Sequence, residues 1–139
     1  MTINDKQDSL IEDFAFFDDW MSKYDYIIQL GKQLNGIDDK FKKDEFLIKG
    51  CQSNVWLGAE LKDGKVVYTA DSDAIITKGL VAMMIEVLSD QKPEDIVNSN
   101  LYFVDEIGLK EHLSPTRANG LVSMIKQIKM YALAFANKS

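Results

Sequence analysis

Residues 53–70 hold the feature that most restricts the fold. Val55, Leu57, Ala59 and Leu61 fall on one face of an alternating segment, and Trp56, Gly58 and Glu60 fall on the other. Alternation of this kind has the period of a β-strand. Asp63-Gly64 follows, a pair suited to a two-residue hairpin turn because both central residues of a type I′ turn need positive φ. Lys65-Val66-Val67-Tyr68-Thr69-Ala70 then reads as the return strand. Leu61 is assigned to the core face with Val55 and Leu57.

Helical patterns lie on both sides of this hairpin. Residues 7–34 read as helix in two pieces, with Leu10, Ile11, Phe14 and Phe17 at helical spacing in the first. Asp18-Asp19 is expected to cap the second, whose apolar side holds Trp20, Tyr24, Ile27, Ile28 and Leu34. Gly31 costs that helix about 1 kcal/mol relative to Ala. Gly36 is expected to stop it. Residues 35–50 read as a long polar loop ending in a short strand, and long ordered loops in small domains are often functional.

After the hairpin, Asp71-Ser72-Asp73 is expected to cap a helix running to Leu88. Ile76, Leu80, Met83, Met84 and Val87 form its stripe, and its far side is apolar enough to be buried as well. Gly79 is expected to let this helix approach the sheet. Pro93 starts a short helical turn, and residues 100–113 fit either a strand or helical turns. Ser114-Pro115 is a helix start, with Ser as N-cap and Pro in the first helical position. That last helix carries Leu121, Ile125, Ile128, Ala132 and Phe135 on one face. The expected fold class is α+β: one domain over residues 1–139, a small antiparallel sheet packed against helices.

Charge and cysteine count restrict the function. The 139 residues carry a net charge of −6, which argues against nucleic acid as a partner. The acidity is uneven: Asp5, Asp8, Glu12, Asp13, Asp18 and Asp19 precede a basic stretch of Lys40, Lys42, Lys43 and Lys49. Such runs are solvated faces in most proteins; the sharper reading is a loop that docks an acidic partner. One cysteine excludes an intramolecular disulfide, in keeping with a reducing compartment. The first residues lack a signal-peptide pattern, and no apolar run reaches the length of a membrane span. A cytoplasmic protein without a membrane partner is expected. One Cys and one His do not supply the three or four ligands of a structural metal site.

Cys51 sits in Gly50-Cys51-Gln52-Ser53-Asn54, where the long loop meets the first strand. A lone cysteine behaves in most proteins as a small buried hydrophobe. Against that reading, its neighbours are polar and Gly50 gives the backbone freedom. Strand parity carried back from Val55 puts Cys51 on the core side, so alternation between a sheltered and an exposed position is expected. His112 and Arg117 flank the start of the last helix. Each is either a surface residue or a cation that approaches Cys51 and favours its thiolate, the attacking species.

At these residues the chain resembles the SufE family, including its relative CsdE. The shared blocks are Gly50-Cys51-Gln52-Ser53-Asn54-Val55-Trp56, the run from Asp71 to Leu80, Trp20 with the run from Tyr24 to Gly31, Pro93-Glu94-Asp95-Ile96, and the run from His112 to Leu121. The likeness covers residues 14–135. It implies a fold like that of the IscU scaffolds and a role for Cys51 as acceptor of persulfide sulfur. The implied donor is a SufS-like cysteine desulfurase, whose cofactor is pyridoxal phosphate, and the implied receiver is a SufBCD-like assembly complex; a CsdA-type donor is the alternative. The chain itself needs no cofactor on this view. Gln52, Asp73, His112 and Arg117 are the expected supporting or docking residues. Two other readings remain: a cysteine hydrolase using Cys51 and His112, and a binding module with an inert cysteine.

Overall fold

A computed structural model describes residues 1–34 and 36–138, the side chain of Lys138 excepted. Two helices open the chain, α1 (Ile3–Ala15) and α2 (Trp20–Lys32). Two 3-10 turns, Asp39–Phe41 and Asp44–Phe46, occupy the long loop. The hairpin strands β1 (Val55–Lys62) and β2 (Lys65–Ser72) follow, then α3 (Ile75–Leu88), α4 (Pro93–Val97), α5 (Phe103–Ile107), α6 (Leu109–His112) and α7 (Pro115–Lys138). The expected α+β class is observed.

The hairpin is antiparallel, with Lys62 opposite Lys65 and Val55 opposite Ser72. Asp63 at φ 52° and Gly64 at φ 80° make the turn that the sequence predicts. Leu61 departs from expectation: it is exposed at the unpaired edge of the two-stranded sheet, whereas Val66 opposite it is buried where Gln91 pairs with β2. The short strand expected at the loop's end is a single bridge, Leu47 to Trp56, beside an Ile48 N–H donated to the Val55 carbonyl at 2.8 Å.

The helix ends follow local chemistry in some places and not in others. Asp19 caps α2 by accepting from the Ser22 N–H at 2.7 Å, and Ser114 accepts from the Arg117 N–H at 3.3 Å. α2 ends with Gln33 as its cap, so Gly36, at φ 83°, turns the loop rather than stopping the helix. The expected cap of α3 is also corrected. β2 continues through Ser72, the cap position falls to Ala74, and no side chain bonds the first turn of α3. Hairpin pairing has drawn Asp71 and Ser72 into the ladder.

One hydrophobic cluster runs from Ile3 to Ala132, with Phe14, Ile27, Leu57, Met83, Met84, Phe103 and Leu121 buried in it. Each such side chain contributes roughly 1.5–3 kcal/mol by leaving water. α3 is buried on more than one side, as its composition predicts: Val81 and Leu88 join Leu80, Met83, Met84 and Val87. Gly79 faces α2, not the sheet. A Cβ there would strike the Ile27 carbonyl, and one on Gly31 would lie 2.8 Å from the Gly79 nitrogen. Two tyrosines clamp α7 to the hairpin: Tyr68 Oη donates to the Ile128 carbonyl at 2.7 Å, and Tyr131 Oη to the Leu57 carbonyl at 3.2 Å. This clamp holds the C-terminal half of α7 on the hairpin, while the N-terminal half meets the end of the long loop at Gly120 and Ser123.

Candidate functional site

Cys51 precedes β1, so strand parity does not reach it; its side chain turns toward α7. Gly50 makes this possible. Its φ of 96° is a conformation that side chains disfavour, and a Cβ there would collide with the Ser123 hydroxyl. The loop therefore lies close against α7, and Cys51 Sγ comes 3.6 Å from the Gly120 carbonyl oxygen. Gly120 permits the approach: a Cβ on it would be 3.3 Å from the sulfur.

The thiol is half-buried, and burial pushes its pKa above the ordinary thiol range. The cause is the cost of placing a thiolate where water is partly excluded. Beside the sulfur lies a small cavity of about 40 Å³, lined by Cys51, Gln52, Thr77, Thr116, Arg117 and Gly120 with apolar backing from Leu80 and Met124. Two helix beginnings meet there. Thr77 is in the first turn of α3, and Thr116 and Arg117 are in the first turn of α7. The N-terminal end of a helix carries partial positive charge and favours an anion. The site thus holds a neutral thiol at rest within an environment that offers compensation to a charged sulfur.

The far side of the cysteine loop is held by Asp73. Its carboxylate accepts from the Asn54 N–H at 3.1 Å, while the Asn54 carbonyl accepts from Ser72 Oγ at 2.8 Å and from the Asp73 N–H at 3.3 Å. Asp71 anchors the lysine-rich stretch. Burial opposes its ionisation, but the Ser72 N–H, Lys78 and Lys42 together hold its carboxyl below the usual range. Both lysines reach it at 3.3 Å. Lys40 pairs with Glu60 at 2.8 Å. Part of the loop's positive charge is therefore neutralised inside the protein, and Lys43 and Lys49 form no ion pair among the described residues.

The structure separates the two basic side chains that the sequence sets beside the last helix. Arg117 lines the cavity that holds Cys51 and makes no ion pair among the described residues. His112 is elsewhere. Its ring stacks on Trp20 with centroids 3.9 Å apart, and its Nδ1 lies 2.9 Å from the Gly108 carbonyl. Its own carbonyl accepts from Tyr24 Oη. The stack and the tyrosine hydrogen bond join α6 to α2 and leave His112 outside the cavity lining. A cysteine–histidine hydrolase pair has no support in this arrangement. Gln52 lines the cavity and is exposed. Thr77, Thr116 and Gly120 were not legible as site residues, since only the packing of α3 and α7 on the loop brings them to the sulfur. Among the described residues no group of three His, Cys, Asp or Glu side chains is placed to hold a metal, and no helix is long and apolar enough to cross a membrane.

Relatives agree with this architecture. The SufE family model, described as an Fe-S metabolism associated domain, matches residues 8–132. An uncharacterized SufE-like protein of Rhizobium meliloti (strain 1021) is 40% identical over 130 residues, covering 90% of this chain and 93% of that protein. The solution structure of a hypothetical protein from Thermus thermophilus superposes with a TM-score of 0.79 at 18% identity, over 96% of this chain and 97% of that one, and so shows the shared fold.

Proposed function

The chain belongs to the SufE family, and from that premise we propose that it is a sulfur acceptor and carrier in Fe–S metabolism, with Cys51 as the acceptor. The observation that carries this reading is the placement of the chain's single cysteine: half-buried at a loop end, with a small cavity beside its sulfur. The Cys51 thiolate attacks the terminal sulfur of a persulfide on a cysteine desulfurase. A new S–S bond forms at Cys51, the donor's S–S bond breaks, and the donor cysteine leaves as a thiolate. The terminal sulfur keeps its proton or releases it to solvent. With one cysteine in the chain, no neighbouring thiol is available to expel that sulfur as sulfide.

Because burial raises the thiol pKa, attack is expected to require that the loop be drawn outward, where water stabilises the thiolate. Gln52 and Arg117 border the opening, and Asp73 sets how far the loop can move; these are the proposed docking and supporting residues. His112 supports the site only through the α6–α2 contact. The donor is proposed to be SufS-like and the receiver a SufBCD-like assembly complex in the cytoplasm, with a CsdA-type donor as the competing pathway.

Alanine formation from cysteine by each desulfurase, with and without this protein, tests the reading. Stimulation by the wild-type chain and its loss in Cys51→Ser are expected, larger with the SufS-like enzyme. Equal stimulation by the Cys51→Ser variant would remove the acceptor role.

A further inference from the structure

A sulfur bound to Cys51 faces a physical problem that the resting thiol does not. The thiol avoids charge through its raised pKa. A persulfide is a stronger acid than the parent thiol and carries its charge on the terminal sulfur, so the loaded site holds an anion where water is partly excluded. An anion in such a place needs hydrogen-bond donors.

One lining residue meets this need from inside the fold. Thr77 is only 7% exposed, yet its hydroxyl has no hydrogen-bond partner among the described residues. None of the described buried polar atoms is sealed off without a partner, so the Thr77 oxygen keeps some access, and the residue lines the cavity beside Cys51. Thr77 also stands in the first turn of α3, a 14-residue helix that no side chain caps. The hydroxyl and the positive end of the helix act in the same direction. Leu80 and Met124, the apolar members of the lining, offer no donor.

We propose that the Thr77 hydroxyl donates a hydrogen bond to the terminal sulfur of the Cys51 persulfide, holding it as an anion in the cavity. The inference rests on the acceptor reading and names the group that binds its cargo. Arg117, at the exposed rim, adds positive charge from outside; Thr77 supplies the buried contact. The hydroxyl is idle in the unloaded protein and gains its partner only when sulfur arrives.

The test loads Cys51 chemically with inorganic polysulfide, so that no desulfurase is involved, and confirms loading by intact mass. The pH dependence of iodoacetamide alkylation at the terminal sulfur then gives the persulfide's titration midpoint. Thr77→Val, nearly isosteric but without the hydroxyl, is expected to raise that midpoint by about one pH unit, a tenfold loss of anion at a given pH below it. Thr77→Ser is expected to restore the wild-type midpoint, which a purely structural threonine would not require. Thr77→Ala provides a second hydroxyl-free variant with the same expected shift. An unchanged midpoint in the hydroxyl-free variants, or an equal shift in Thr77→Ser, overturns the inference. Failure of a desulfurase to load the wild-type protein bears instead on the acceptor reading, because the chemically loaded midpoint is measured without any donor.

Discussion

At Gly31 and Gly79 two helices touch backbone to backbone; at Gly120 a helix touches a cysteine sulfur. Both places use the missing Cβ to bring chain segments together. Their neighbours differ in how far they can yield. The Gly79 contact is to the Ile27 carbonyl, backbone against backbone, with Ile27, Gly31 and Gly79 all buried. The Gly120 contact is to Cys51, on a loop whose adjacent Gly50 and Gln52 are exposed. The first contact builds a platform, and the second rests a movable group against it. Close packing tolerates little added volume, whereas a loop shifts to accommodate it.

The largest expected effect is at the rigid contact. Gly79→Ala is expected to destabilise the protein by about 3 kcal/mol, at the upper end of what overpacking costs, read from urea denaturation. A loss below about 1 kcal/mol would mean that α2 and α3 are free to slide, and the distinction between the two contacts would fail. Gly120→Ala, the same chemical change at the other contact, is expected to cost about 1 kcal/mol and to speed labelling of Cys51 several-fold by pushing the sulfur outward. Unchanged labelling with a large stability loss would show the loop to be as fixed as the core. Asp73→Ala removes the carboxylate clamp on Asn54 and is expected to cost less than about 1 kcal/mol while again accelerating labelling.

The smallest expected effect is a pH slope. The Cys51 pKa is raised in the folded state. Below the ordinary thiol range both folded and unfolded chains hold the proton, and stability is unaffected. As pH rises through the ordinary thiol pKa the unfolded chain releases it first, so the folded state loses stability until its own higher pKa is passed. Stability measured across that window is expected to fall in the wild type relative to Cys51→Ser. Parallel curves for the two proteins would place the thiol in water.

The parts of this architecture that rest on local chemistry were legible in the sequence. The Asp63-Gly64 turn set the hairpin register, and Asp19 and Ser114 marked the starts of α2 and α7, because turns and caps are decided within a few residues. Local signals misled where tertiary pairing competed. Asp71 and Ser72 joined β2 instead of capping α3, and Leu61 kept its parity but lies exposed at the unpaired edge of the sheet beside the buried Val66. The partner of Gly79 was invisible because it is α2, a helix on the far side of the long loop and the hairpin. The site divided in the same way. Cys51 and Asp73 stood out by composition and resemblance, but which of Arg117 and His112 would lie beside the sulfur depended on how α6 and α7 pack. Trp20 takes His112 by stacking, and the close contact of Cys51 with Gly120 on α7 leaves Arg117, one turn earlier, at the cavity. Thr77 had no distinguishing mark in an apolar helical run.

Intact-protein mass spectrometry tests the central claim most directly. The protein is incubated with an active SufS-like or CsdA-like desulfurase, pyridoxal phosphate and cysteine, without reductant. A gain of one or more sulfur atoms, reversed by reductant and absent in Cys51→Ser, is the predicted result. No gain from either donor, each shown to be turning over cysteine, would contradict the account and leave Cys51 an inert residue of a binding module.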